Sequence, residues 1–251
     1  MEVQSLKTDL ASLNRLRVMT TPEGTAPFRV GILIGPGFIP MDIVGVQTVF
    51  GLMPGAEIYL CWKSLDQVEG FPGWWTKPTT TFADCPEFDV FAVPMLPPEI
   101  QNDAEVIEFA RTQASKARYV IGICSGVLLL GAAGFLEGKR ATTNHNALPI
   151  LRDLGAAEVV EESGVVVDGN LFTAGPGVGS FETALLVVEK AFGRPAGELA
   201  ELIIEYDPHP PFDSGTVKGA QPALVGQFEA MMADMMAQYR SGAVVALSSR
   251  V

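Results

Sequence analysis

The chain has 251 residues, 48% of them hydrophobic, enough to enclose one large core, so a single main domain is expected. Its 29 acidic against 17 basic residues give a formal net charge of −12 with no Lys/Arg cluster, which argues against nucleic acid as a partner. The most apolar stretch, residues 127–136, has roughly half the length of a membrane span, charged residues interrupt the start where an export signal would be apolar, and Cys61, Cys85 and Cys124 form no CxxC or Cys/His group. The expectation is a cytoplasmic protein with no disulfide framework, no metal site and no membrane contact.

Residues 1–28 read as an N-terminal helical arm and linker, with Leu6, Leu10, Leu13 and Leu16 on one face ahead of the breaker cluster Thr20-Thr21-Pro22-Glu23-Gly24. A single stripe leaves a frayed tail and a partner-docking arm equally open. The core opens with the β-branched run Arg29-Val30-Gly31-Ile32-Leu33-Ile34, ended by Gly35-Pro36-Gly37, and a helical pattern over residues 42–52 completes a first βα unit. Residues 56–61 form a second strand, and 70–81 a hairpin-like segment in which Trp74 and Trp75 suit hairpin packing or a dimer surface.

Residues 88–93 read as a buried strand, 102–115 as an amphipathic helix, and 119–123 as another buried strand running into Cys124. Residues 165–172 form a second hairpin turned by Asp168-Gly169. Ser180 is a natural N-cap for a helix over 180–192, and the preceding Gly175, Gly177 and Gly179 do not match dinucleotide spacing. A last helix, about 222–239, carries Leu224, Phe228, Met231, Met232, Met235 and Met236, a stripe suited to core or dimer interface, and residues 241–251 are a tail. The alternation over residues 29–240 predicts one α/β domain, its mostly parallel sheet covered on both faces, with ligands at the carboxyl ends of the strands. After Tyr239 about a dozen residues remain, too few for an appended DNA-binding unit.

The chemistry concentrates at Gly122-Ile123-Cys124-Ser125-Gly126, where a buried strand meets a helix through a glycine-flanked thiol. That is the form of a nucleophile elbow, which strains the central residue, exposes its side chain and needs small neighbours. The following helix terminus favours the thiolate. The plain alternative for Cys124 is a small buried apolar residue, the role assigned to Cys61 within a strand and Cys85 before Pro86.

This pentapeptide, with Gly131-Ala132-Ala133-Gly134-Phe135-Leu136-Glu137-Gly138-Lys139-Arg140-Ala141-Thr142-Thr143, resembles the ThiJ/PfpI superfamily, a glutamine amidotransferase class I-like group. Phe38-Ile39-Pro40-Met41-Asp42, Pro78-Thr79-Thr80-Thr81-Phe82 and Glu205-Tyr206-Asp207-Pro208-His209-Pro210-Pro211-Phe212 resemble its isonitrile hydratase branch. The resemblance implies a flavodoxin-like three-layer sandwich, usually a homodimer, with Cys124 as nucleophile, Asp42 as acid and no cofactor. Taken alone, Asp42 would be read as a helix cap. The implied reaction adds water to an isonitrile, a small-molecule electrophile, to give an N-substituted formamide, with the Ser125 backbone N–H stabilising developing charge. Gly37, Met95, Leu96, Asn144 and His145 complete the expected site as substrate-binding residues, and His209 sits in a segment that could wall the pocket.

Three places depart from the family pattern. Met95-Leu96-Pro97-Pro98 stands where relatives carry a proline and paired glycines, Ser125 replaces threonine, and Asn144 with His145 replaces a histidine near the cysteine. Pro97 and Pro98 have no N–H to donate, so half of an anion-stabilising site is missing. The same thiol acting on an aldehyde or a secondary-metabolite intermediate, or serving as a reversible redox sensor, are the alternatives.

Overall fold

A computed structural model of the chain describes residues 23–24, 26–161 and 164–248; the leucine stripe of the N-terminal arm lies outside the described residues. From β1 (Phe28–Leu33) the chain passes through Gly35-Pro36-Gly37 into α1 (Pro40–Gly51), then β2 (Ala56–Trp62), the antiparallel pair β3 (Val68–Gly70) and β4 (Trp74–Thr76), and β5 (Thr80–Thr81). There follow β6 (Val90–Val93), the single turn α2 (Pro98–Gln101), α3 (Ala104–Lys116), β7 (Tyr119–Ile123) and α4 (Gly126–Ala132). Next come β8 (Arg140–Ala141), a 3-10 turn (His145–Ala147), α5 (Leu148–Asp153), β9 (Glu158–Val159), β10 (Val165–Asp168) and β11 (Leu171–Ala174). The chain ends in α6 (Gly179–Phe192), α7 (Arg194–Ile203) and α8 (Pro222–Ser248).

Seven strands form the central sheet in the order β10-β11-β7-β6-β1-β2-β5, parallel throughout except for the antiparallel β10–β11 hairpin. Helices flank it, α1 packing with α6 and α6 with α7, and α4 packing with α3 and α8, in the flavodoxin-like arrangement. All four β6 residues and all five β7 residues are buried, the continuous burial of strands covered on both faces. β7 has the bounds expected of it. The helix expected over 102–115 starts later, because Pro98–Gln101 winds a turn of its own and Asp103 caps α3 by accepting from Glu105 N at 2.9 Å and Val106 N at 3.2 Å.

Two sequence expectations are corrected here. Ser180 is not an N-cap: Val178 holds that position and Ser180 is buried inside α6, its hydroxyl donating to the Met41 carbonyl at 2.8 Å, so it ties α6 to α1. The last helix does not stop near Tyr239 but continues to Ser248, through most of the segment read as a tail. Its methionine stripe is core only in part. Met236, Tyr239 and Ala243 are buried, whereas Leu224, Phe228 and Met231 are exposed, because the first half of α8 extends past the body it packs on.

Candidate active site

In the sheet β1 lies between β2 and β6, so the chain leaves β1 towards one edge and later fills the other, opening a crevice at the carboxyl ends of β1 and β6. Three elements meet there: α1 carries Asp42, the loop after β6 carries Met95, and the turn after β7 carries Cys124. Cys124 has φ +54°, one of two non-glycine residues among those described with left-handed backbone. That conformation costs a side-chain-bearing residue on the order of 1–3 kcal/mol. It is held by two hydrogen bonds, Cys124 N donating to the Ala174 carbonyl at 2.9 Å and the Thr143 hydroxyl donating to the Cys124 carbonyl at 2.6 Å. Gly126 is required because a Cβ there would collide with the carbonyls of Val93 and Pro94, and α4 could not begin so close to β6.

Asp42 is the third residue of α1, whose N-cap is Ile39, so it is an in-helix carboxylate and not the cap it could have been from sequence alone. Its Oδ2 accepts from Met95 N at 2.8 Å, and the residue is 2% exposed. Burial outweighs that hydrogen bond and lifts the carboxyl from 3.8 to about 7. Gly177 leaves the room this carboxyl occupies, since a Cβ there would sit 2.7 Å from Asp42 Oδ1.

The Cys124 thiol retains some exposure, yet burial first and the nearby Asp42 charge second push it up to about 12. The Ser125 backbone N–H, the Ser125 hydroxyl and the Asn144 amide oppose this by hydrogen bonding to sulfur. The terminus of the short helix α4 favours the thiolate, and desolvation with the neighbouring carboxyl opposes it.

Asn144 joins the site as expected. Its Nδ2 lies 3.5 Å from Cys124 Sγ and donates to Ser125 Oγ at 2.7 Å, while its Oδ1 caps the 3-10 turn by accepting from Ala147 N at 3.2 Å. Ser125 is buried between them. Met95 donates its amide to Asp42. Leu96 is wholly buried, and its carbonyl accepts from the Tyr239 hydroxyl. Gly37 adopts φ +78° against the Pro97 ring and donates its N–H to the Glu69 carbonyl at 2.7 Å, so it shapes the loop ahead of Asp42.

His145 turns from the thiol to Glu229 of α8, 3.2 Å away, and lines a separate cavity of about 360 Å³ with Val217, Leu224 and Phe228. His209 is exposed and bonds the Asp207 carbonyl at 2.6 Å. Cys61 is buried within β2 and its thiol is pushed up by burial; Cys85 accepts from the Gln113 amide at 3.3 Å. Among the described residues no group of three or more His, Cys, Asp or Glu is arranged to hold a metal ion, and no helix is long and apolar enough to cross a membrane. Sequence reasoning passed over Thr143, which fixes the elbow, and Tyr239, hidden in the methionine stripe; a buried hydroxyl on an otherwise apolar helix face is the signal that would have found the latter.

A model of the DJ-1/PfpI family matches residues 28–190. Over 202 residues the chain is 41% identical to the isonitrile hydratase of Pseudomonas putida, covering 79% of this chain and 87% of that protein. It is also 29% identical over 120 residues to a deglycase of Pyrococcus horikoshii, 46% of this chain and 71% of that one. Among solved structures, a ThiJ/PfpI family protein from Pseudomonas syringae superposes with a TM-score of 0.82 at 32% identity, covering 87% of this chain and 91% of the other. Drosophila melanogaster DJ-1beta shares the fold at 20% identity, with a TM-score of 0.62 over 73% of this chain and all of that one.

Proposed function

The chain belongs to the DJ-1/PfpI family, and on that premise we propose that it is a cofactor-independent hydratase that adds water to an isonitrile to give an N-substituted formamide. The observation that carries this reading is the carboxyl of Asp42, held near neutrality beside the Cys124 thiol and so able both to take and to return a proton. The identity to the Pseudomonas putida hydratase supports it.

In the proposed reaction Asp42, as carboxylate, takes the thiol proton as Cys124 sulfur bonds to the terminal carbon of the isonitrile. The same proton then passes from Asp42 to that carbon, giving a thioimidate. Water adds to the thioimidate carbon while a proton moves through Asp42 to nitrogen. The C–S bond then breaks, the remaining hydroxyl proton returns to sulfur, and the formamide leaves. The Ser125 N–H and the Asn144 amide stabilise sulfur while it carries charge.

The departure at Met95-Leu96-Pro97-Pro98 favours this electrophile over an aldehyde. An aldehyde develops its charge on oxygen and needs N–H donors to meet it. Here the Met95 amide is committed to Asp42, and the two prolines have none. An isonitrile develops its charge on carbon, where a proton from Asp42 neutralises it.

We further take the protein to work in the cytoplasm, where three unpaired thiols stay reduced, and as a homodimer. The test incubates wild type, Cys124→Ala and Asp42→Asn with cyclohexyl and aryl isonitriles, with methylglyoxal in parallel, and follows formamide by mass spectrometry. Formamide from wild type, none from Cys124→Ala and a rate lowered roughly 10²–10⁴-fold in Asp42→Asn is the expected result. Turnover of methylglyoxal alone would replace the reading with the aldehyde one, and no turnover with selective peroxide oxidation of Cys124 would replace it with redox sensing.

A further inference from the structure

A surface helix ordinarily turns its large aliphatic side chains towards the body, and α7 does the reverse. Its buried residues are the small ones, Ala196, Gly197 and Ala200. A Cβ at Gly197 would meet the Leu185 carbonyl and Glu189 Cβ of α6 at 3.6 Å, so α7 is seated on α6 by its small face. Leu199 and Leu202, three residues apart and therefore on one side of the helix, are 40% and 71% exposed. Its leucines face outwards.

This is also the side on which the chain enters the fold. Phe28, the first residue of β1, packs edge-on against Phe192 with ring centroids 4.8 Å apart, and Phe192 ends α6 just before α7 begins at Arg194. The residues ahead of β1 carry Leu6, Leu10, Leu13 and Leu16 at helical spacing. As a helix, residues 6–16 would be about 16 Å long, against about 15 Å for the ten residues of α7. The stretch from Leu16 to Phe28 spans at most roughly 40 Å, enough to lay one helix along the other. Charge agrees with this pairing: Lys7, Arg15 and Arg17 outnumber Asp9 over residues 4–17, whereas Glu198, Glu201 and Glu205 outnumber Arg194 over residues 194–205.

We propose that residues 6–16 dock as a helix on the outer face of α7 in the same chain, the leucine stripe covering Leu199 and Leu202. The arm adds a helix to the layer formed by α1, α6 and α7. Its covalent entry beside α7 gives it an effective concentration on the order of millimolar there, which a second molecule in dilute solution lacks. The groove lined by His145, Leu224 and Phe228 is the rival surface, but it lies at the carboxyl ends of the strands, away from Phe28 at the amino end of β1. The inference is independent of the reaction at Cys124.

Hydrogen exchange of the full chain, read by mass spectrometry on peptides covering residues 4–17 and 198–204, tests the proposal in wild type, Leu202→Asp, Leu10→Asp and, as a control on the rival groove, Leu224→Asp. A helix of this length is marginal by itself, so protection of residues 4–17 reports packing. In wild type these amides should exchange at least about tenfold more slowly than an unstructured chain. Leu202→Asp and Leu10→Asp should each remove that protection, Leu10→Asp should also speed exchange in residues 198–204, and Leu224→Asp should change neither peptide. Unprotected residues 4–17 in wild type overturn the proposal, as does protection that survives Leu202→Asp or is lost equally in Leu224→Asp. Repeating wild type at one-tenth the concentration separates the occupants: unchanged protection supports the chain's own arm, and protection lost on dilution assigns the face to a second copy and overturns it. The Leu10→Asp effect on residues 198–204 leaves α7 itself unaltered, so it decides the matter even if Leu202→Asp disturbs the fold.

Discussion

Asp42 would cost its fold less as an asparagine. The carboxyl titrates near 7 in the folded chain and near 3.8 when exposed, so between those values the folded state binds the extra proton. Its contribution to stability is full below about pH 4 and is lost as pH rises through 7, because above that pH a charge must be kept in a buried position. Asp42→Asn can still accept from the Met95 amide through its carbonyl oxygen. We therefore expect this variant to be more stable than wild type at pH 8, by at most about 4 kcal/mol, which is the free energy of moving a carboxyl from 3.8 to about 7, with the difference vanishing near pH 4. Thermal melts of both proteins across that range measure it, and equal melting temperatures at pH 8 would contradict the burial argument. The pH–rate profile follows from the same group: turnover should rise with an apparent pKa near 7 as Asp42 becomes able to take the thiol proton, and Asp42→Asn should lose that limb.

The placement of Asp42 depends on how closely α1 approaches α6. A Cβ at Gly45 would strike the Ser180 hydroxyl and the Phe181 backbone nitrogen, and Ser180 in turn bonds the Met41 carbonyl next to Asp42. Gly45→Val should destabilise the fold by about 1–3 kcal/mol through overpacking, and should also lower activity more than that loss explains, because it lifts the helix that carries the acid. Denaturation midpoints and kcat, measured at a temperature where the variant is fully folded, separate the two effects. Ser180 looked like a cap because serine ahead of an apolar run usually is one; only the packing of a second helix against it makes its hydroxyl more useful inside α6. The early stop expected for α8 has a similar origin. Arg240, Ser241 and Gly242 interrupt the apolar stripe after Tyr239, but Gly242 lets the helix lie close to Asn102 and Ala243 still packs on the body, so the helix runs on to Ser248.

On the scale of the whole molecule, the β3–β4 hairpin presents Phe71, Trp74 and Trp75 with half or more of their surface exposed. Large aromatic groups grouped in this way are enriched at interfaces. If the proposed homodimer forms and uses this face, Trp75→Arg should shift the mass seen by light scattering from dimer to monomer while leaving the fold intact; an unchanged dimer would place the interface elsewhere. The alternating strands and helices and the strand-to-helix elbow around Cys124 were legible in the sequence. They rest on local patterning: buried strands are apolar along their length, and a thiol between glycines at a strand end has few other uses. The sequence alone named Cys124, Asp42 and Asn144 as the residues to look for at the ends of the strands. Only the tertiary structure decided that Met95 spends its amide on Asp42, that His145 turns away to Glu229, that burial pushes the Cys124 thiol up, and that Tyr239 reaches the Leu96 carbonyl from 115 residues along the chain past Cys124. Each of these is set by desolvation and by contacts between residues distant in sequence, which no periodicity records.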